Sequence, residues 1–284
     1  MATVALSGPF GSERMDEVVL AAAPLARVIC QIRFPRLTRL AASDEAANTV
    51  AAALADDYPV FNQAREVTIM ITPDGVTQTP GGGQVWQLGS ADGTWQVSFG
   101  AEFLAVHTAA YTTRDAFTEK LAQVVEVFGL VVAVPHCERI GIRYINRIDS
   151  ERVSLAELPA LVRPEMRGGL AVPLANAKLV TAMSEALYDL APPTEPTPPG
   201  VPAPLTDGLQ ARWGLLPSMA QLDPTLSALP RPSWVLDLDA FRVALSPFTR
   251  ENVAGQVDEL AERAYRYFRW VVTEEFLTRF GKQT

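Results

Sequence analysis

Apolar residues along this chain fall into strand-like and helix-like spacings, and the order of the two is repeated. Leu25, Val28, Ile29, Ile32 and Phe34 read as a strand that Pro35 ends, because proline cannot donate to a sheet ladder. Ala41 to Ala55 is alanine-rich, with Ser43 placed to cap it and Asp44 and Glu45 in its first turn, and predicts a short helix. Glu66 to Thr72 carries β-branched residues, Pro73-Asp74-Gly75 is a turn signal, and Gly81-Gly82-Gly83 predicts a flexible loop before Val85 to Leu88. Trp95, Val97 and Phe99 alternate with polar residues after the Ala91-Asp92-Gly93 turn, and Phe103 to His107 extends this meander. Thr113 then caps a helix in which Phe117, Leu121, Val124, Val125 and Phe128 form one stripe, closed at Gly129.

The cycle restarts near Val131. Ile140, Ile142, Tyr144, Ile145 and Ile148 predict a strand within ERIGIRYINRID, and a short helix capped by Ser154 follows over Leu155 to Leu161. Leu179 to Leu190 reads as either strand or helix. Seven prolines between Pro192 and Pro204 predict a surface loop of extended geometry. Strands are expected over Leu209 to Leu216 and Trp234 to Val243, where WVLDLDAF echoes WQVSFGAEF at Trp95. Thr249 to Phe280 predicts the longest helix, with Val253, Val257, Leu260, Ala261, Ala264, Phe268, Val271 and Val272 on one side. Ile32-Arg33-Phe34 aligns with Ile142-Arg143-Tyr144, and each half reads strand, short helix, meander, long helix. The expected fold is α+β: a duplicated unit of two similar halves, each an antiparallel sheet covered by a long helix. Residues 1–17 are expected to form a flexible arm, 18–130 the first half, and 131–284 the second half with its proline-rich loop at 192–204.

Composition narrows the classes of function. A net charge of −8 repels a phosphate backbone, so nucleic acid is not the expected partner. Cys30 and Cys137 sit on expected strands without metal spacing, as small buried residues do in a reducing compartment. With no signal-peptide pattern and no long apolar run, the expected location is cytoplasmic.

The sharpest polar group is Arg33, Arg143 and Arg147 with Tyr144 and Asn146. An arginine between apolar strand neighbours offers a planar fork to a carboxylate or phosphate. Asp237 and Asp239, two apart on a strand, share a face and are the natural internal partners of those arginines. Two readings follow. Arg33, Arg143 and Asn146 hold an anionic ligand between the halves, with Asp237 or Asp239 as acid or base, or the arginines and aspartates simply pair with one another. His136-Cys137 points to opposite faces and makes a poor nucleophile pair, and Gly81-Gly82-Gly83 lacks the Lys-Ser/Thr of a phosphate loop. Arg163 and Arg167 beside Gly168-Gly169 read as solvated charge, while Arg263, Arg266, Arg269 and Trp270 give the last helix a basic aromatic edge for an acidic partner, much of it neutralised by the paired Glu259 and Glu262. No catalytic residue, metal ligand or cofactor motif is assigned.

APLARVICQIRFP at Ala23 to Pro35, the tryptophan strands at Trp86 and Trp95, Phe103 with Tyr111, RIGIRYINRI at Arg139 to Ile148, Asp237 to Phe241, and the TEEF ending of the last helix resemble a sporadically distributed bacterial family whose members have no assigned function. The chain departs from it at Ala26, Arg27 and Gln31, where members often carry a glutamate. The resemblance implies a bacterial accessory or defence-associated setting and supplies no catalytic residue. The function expected is a non-enzymatic interaction subunit or adaptor with a protein partner or self-association; the alternative is a binder of, or an enzyme acting on, a small anion.

Overall fold

A computed structural model describes residues 8–11, 13–72, 75–191, 205–223 and 226–282, with backbone alone over 66–82. The first half runs β1 (Leu25–Arg33), α1 (Thr38–Ala42), α2 (Glu45–Ala53), β2 (Val60–Thr72), β3 (Gly75–Gly89), β4 (Trp95–Gly100), β5 (Phe103–Thr108) and α3 (Arg114–Val132). The second runs β6 (Cys137–Asp149), α4 (Leu158–Leu161), β7 (Ala182–Asp189), β8 (Asp207–Leu216), β9 (Ser233–Ser246), α5 (Arg250–Val271) and α6 (Glu274–Arg279). All nine strands join one antiparallel sheet in the order β2-β3-β4-β5-β1-β6-β9-β8-β7. Two sheets, joined edge to edge or packed together, are the expectation; they join edge to edge into one sheet, with β1 and β6 paired at its centre, Ile32 opposite Ile140, Gln31 opposite Gly141 and Cys30 opposite Ile142.

One face of the sheet carries the core. Alternate residues of β1, Val28, Cys30 and Ile32, are fully buried there, and the β6 residues Ile140 and Ile142 continue the layer. On the first half, α3 sets Phe128 against Phe34 and Phe99, with ring centroids 5.8 and 5.4 Å apart, and Trp95 stacks on Phe117. Such pairs add about 0.5–1.5 kcal/mol each beyond the area they bury. α5 lays Val253, Val257, Leu260, Ala261 and Ala264 over β6 and β9, and it packs beside α3. No helix among the described residues is long and apolar enough to cross a membrane.

Threonine starts three of these helices. Thr113 Oγ1 accepts from the Ala116 N–H at 3.2 Å, Thr249 Oγ1 from Asn252 at 3.3 Å, and Thr273 Oγ1 from Phe276 at 3.2 Å. Each bond satisfies one of the N–H groups that a helix start leaves without a partner. Thr249→Ala is expected to cost about 1 kcal/mol in urea unfolding, with serine restoring most of it; an unchanged midpoint would remove the cap from the account of α5.

Local departures from the expected elements have local causes. Gly81-Gly82-Gly83 is part of β3: Arg65 pairs with Gln84 and Val67 with Pro80, so the glycines take up a bulge in the ladder. α3 continues through Gly129 and ends at Ala133, which takes the left-handed conformation. The last helix is two helices, because Val272 turns extended and Thr273 caps a new start. Leu179 to Leu190 resolves as the edge strand β7. Ser43 ends α1 and does not cap α2. Pro73-Asp74 and the proline-rich 192–204 lie outside the described residues.

The expected N-terminal arm also needs correction. Residues 8–11 and 13–17 lie along α5: Arg14 pairs with Asp258 at 2.8 Å, the Met15 N–H bonds Glu262, and Phe10 packs edge-on against Tyr188. Val18 N–H donates to the Tyr265 hydroxyl at 2.7 Å, and Leu20 bridges to Lys282. Residues 1–7 and 12 are outside the described set.

Candidate functional site

Strand parity puts Arg27, Ile29 and Gln31 of β1, Arg139, Arg143 and Arg147 of β6, and Asp237 and Asp239 of β9 on the face opposite the α3/α5 layer. Among the described residues no helix lies over this face, and its ion pairs run between neighbouring strands and to the β8–β9 loop. Asp237 is their hub. It is 2% exposed and accepts from Arg143 Nε at 2.7 Å and Nη2 at 2.9 Å, and from Arg212 Nε at 3.0 Å and Nη2 at 2.5 Å. The third arginine nitrogen, Arg143 Nη1, donates to Asp223 at 2.6 Å, from the loop that joins β8 to β9. Burial works against the charge of Arg143, but the bonds and charges of Asp237 and Asp223 outweigh it and hold its pKa above the ordinary value. This is a paired guanidinium of the buried, bidentate kind.

Of the five residues expected to share a site, Arg143, Asp237 and Asp239 line one open-face cleft, with Asp239 directly across the ladder from Arg143, while Arg33 and Asn146 lie elsewhere. Arg143 and Asp237 bind one another, with all three Arg143 nitrogens engaged. Asp239 takes Arg139 at 3.1 Å, and burial raises its carboxyl pKa. The Arg139 guanidinium lies across Gly141, where a Cβ would come 2.7 Å from Nη1, and stacks over Phe241 with 4.9 Å to the ring centroid. Arg33 is exposed and pairs in the ladder with Arg139, at the far end of β6 from Asp237. Asn146 is on the other face of the sheet. Three residues from Arg143, it has the opposite parity, a placement already implicit in the strand reading.

Two further groups were not expected from the chain. On the open face, His107 Nδ1 lies 3.2 Å from Arg27 Nη1, and Asp223 adds its charge to both. His107 is 7% exposed, and burial together with the Arg27 charge pushes its pKa down to about 4. On the helix face, a cavity of about 100 Å³ opens at the seam between β1 and β6. Tyr111, Tyr144, Asn146, Tyr265 and Phe268 line it, and Glu17 to Leu20 cross its edge. The Tyr111 hydroxyl donates to Glu17 Oε1 at 2.9 Å, and Glu17 Oε2 accepts the Arg114 N–H at 3.0 Å. Burial raises the pKa of both Tyr111 and Tyr144, so both stay as neutral phenols. The signal for this pocket in the sequence was parity alone: Tyr144 and Asn146 alternate with Arg143 and Ile145.

The arrangement offers chemistry of binding. Among the described residues no group of three histidine, cysteine or acidic side chains is gathered for a metal ion. Burial pushes the Cys30 thiol up beyond the range of a reactive thiolate and the Cys137 thiol up to about 11. On the last helix Arg266 and Arg269 are buried, 6% and 9% exposed, and Arg266 pairs with Glu262 one turn before it as expected; Arg163, expected as solvated charge, stacks over Trp270. Comparison with family models and with curated proteins finds no match to this chain.

Proposed function

We propose that this chain is a protein-interaction subunit whose partner docks on the helix-free face of the sheet at its β7–β9 end. One observation carries the reading. Met183 and Leu187 on β7 and Val243 and Leu245 on β9 share that face and are exposed, Leu187 at 57% and Leu245 at 75%. They stand in two groups, Met183 and Leu187 on the rows of Val235 and Asp239, and Val243 and Leu245 four and six residues further along β9; exposed apolar side chains on one face beside an edge strand are features of association surfaces. Glu185 and Asp189 alternate with them on β7, and the molecule carries −8 overall, so the partner is an extended segment in which apolar side chains alternate with basic ones.

Leu187→Asp with Leu245→Asp tests the proposal. Tagged wild-type and doubly substituted chains are isolated from the native host and compared by native mass spectrometry and light scattering. A stoichiometric protein partner held by the wild type and lost from the variant supports the docking face. The same complex with both chains, or a bare monomer in both cases, rejects it.

The alternative reading, an anion held by Arg33, Arg143 and Asn146, has less support because Asn146 is on the other face of the sheet and three of the five Arg143 N–H groups already serve aspartates. Membership in the sporadically distributed bacterial family, and the accessory role it implies, rests on the I-R-F and I-R-Y strands and on the other motifs of the chain. Duplication is part of the same proposal. The alignment that equates Ile32 with Ile142 also equates Gln31 with Gly141, and these two are cross-strand partners; on either side Ile32 meets Ile140 and Cys30 meets Ile142. A two-fold relation between halves requires such a register. In both halves the last meander strand, β5 or β9, returns to pair with the first, and a long helix follows.

A further inference from the structure

The cavity at the β1–β6 seam contains a buried polar group with unused hydrogen-bonding capacity. Asn146 is 6% exposed, and its one hydrogen bond runs from Nδ2 to the Leu236 carbonyl at 3.5 Å, the weak limit of such a bond. A buried carboxamide has two donors and a two-fold acceptor, and leaving them unpaired costs about 1–3 kcal/mol. The other polar groups at the cavity already have partners. Glu17 accepts from Tyr111 with one oxygen and from the Arg114 N–H with the other, while the Arg114 side chain is committed to Glu262 at 2.7 Å. The Val18 N–H and the Asp16 carbonyl both use the Tyr265 hydroxyl. Among the described residues that line the cavity, Asn146 is the one carboxamide and has both donor and acceptor to spare; the Thr112 hydroxyl is exposed to solvent and the Tyr144 hydroxyl faces that of Tyr111.

Its surroundings define what fits. Leu25, Leu238, Tyr144 and Phe268 make the walls apolar and aromatic. Glu17 and Arg114 both line the cavity, so an anion would lie against a carboxylate and a cation against a guanidinium, and a neutral occupant suits the site. A dry cavity of about 150 Å³ takes benzene. The 100 Å³ here, open on one side, admits a single small ring. We infer that this cavity is a binding site for a small neutral ligand with an amide or lactam edge, whose adjacent donor and acceptor pair with the Asn146 carboxamide while its ring rests among Tyr111, Tyr144 and Phe268.

The test uses 2-pyrrolidinone as the lactam and cyclopentanone as a ring of similar size that has an acceptor and no N–H. Saturation-transfer NMR and titration calorimetry on the whole chain are expected to give saturable lactam binding with a Kd on the order of 1 mM, as a six-atom fragment allows. Cyclopentanone should bind at least tenfold more weakly. Asn146→Leu, which keeps the volume and removes the amide, should weaken the lactam at least tenfold and leave cyclopentanone unchanged. Asn146→Ala gives a second reading, and near-UV circular dichroism checks that each variant is folded. Equal binding of the two rings would make the cavity a plain apolar slot. Lactam binding unaffected by either substitution, or no saturable binding at all, would leave Asn146 with water alone and overturn the inference. Neither result bears on the open-face docking proposal, which involves the opposite side of the sheet.

Discussion

Replacing Asp237 with alanine is expected to remove about 3–5 kcal/mol of stability, the usual cost of taking one partner from a buried ion pair. Two guanidiniums converge on this 2% exposed carboxylate, so the substitution leaves Arg212 without its carboxylate and Arg143 with Asp223 alone. Asp239→Ala is the contrast. Its partner Arg139 is about a quarter exposed and also stacks on Phe241, so the loss there is expected to stay near 1 kcal/mol or below. Asp237→Leu combined with Arg143→Met should cost less than Asp237→Ala alone, because no charge is then left stranded. Urea unfolding at neutral pH measures all three. If Asp237→Ala proved as mild as Asp239→Ala, the cluster would not be a structural hub, and its anion-binding reading would regain ground.

Acidification between about pH 6.5 and pH 4 should weaken the fold through His107. Its folded pKa, about 4, lies below the ordinary 6.5, so the native imidazole is neutral across that interval. The unfolded chain takes up a proton there that the folded chain refuses. The stabilisation is therefore complete above pH 6.5 and drains away as pH falls toward 4. Its full size is about 3 kcal/mol, the free energy of withholding a proton across that interval. The groups facing the ring are Arg27 at 3.2 Å and Asp223, with Ile29 and Gln96 opposite it on the neighbouring strands. Carboxylates titrate in the lower part of the same interval, so the useful quantity is the difference between wild type and His107→Gln. Unfolding free energies of the two should converge as pH is lowered through the window; parallel curves would show that His107 is not the group responsible.

Periodicity exposed most of the scaffold in advance. Alternation at Trp95, Val97 and Phe99 and the stripe at Phe117, Leu121 and Phe128 became β4 and α3, because each pattern matches the side of an element that must be buried. Long-range pairing was harder to read. Nothing local in Ile32-Arg33-Phe34 says that its strand partner is Ile140 and its neighbours, and this pairing merges the halves into one sheet. Of the candidate site, the Arg143–Asp237 pair was foreseen as the internal option, since both residues interrupt apolar strands. Asn146 is near Arg143 in sequence and not in space, because an odd spacing on a strand sets it on the opposite face. Arg212, Asp223 and His107 escaped notice because their roles depend on which strands become neighbours and on a loop that returns over the open face.

The central pairing of β1 with β6 also orders events at the ribosome. β1 finds β5 as soon as residue 108 has emerged, but its other edge stays open until residues 137–149 have been made. Through that interval the nascent chain presents a bare ladder beside Val28, Cys30 and Ile32, the kind of template on which strands from other molecules assemble. Pairing with β6 is what closes that edge, so the fold of the first half is completed only by the second.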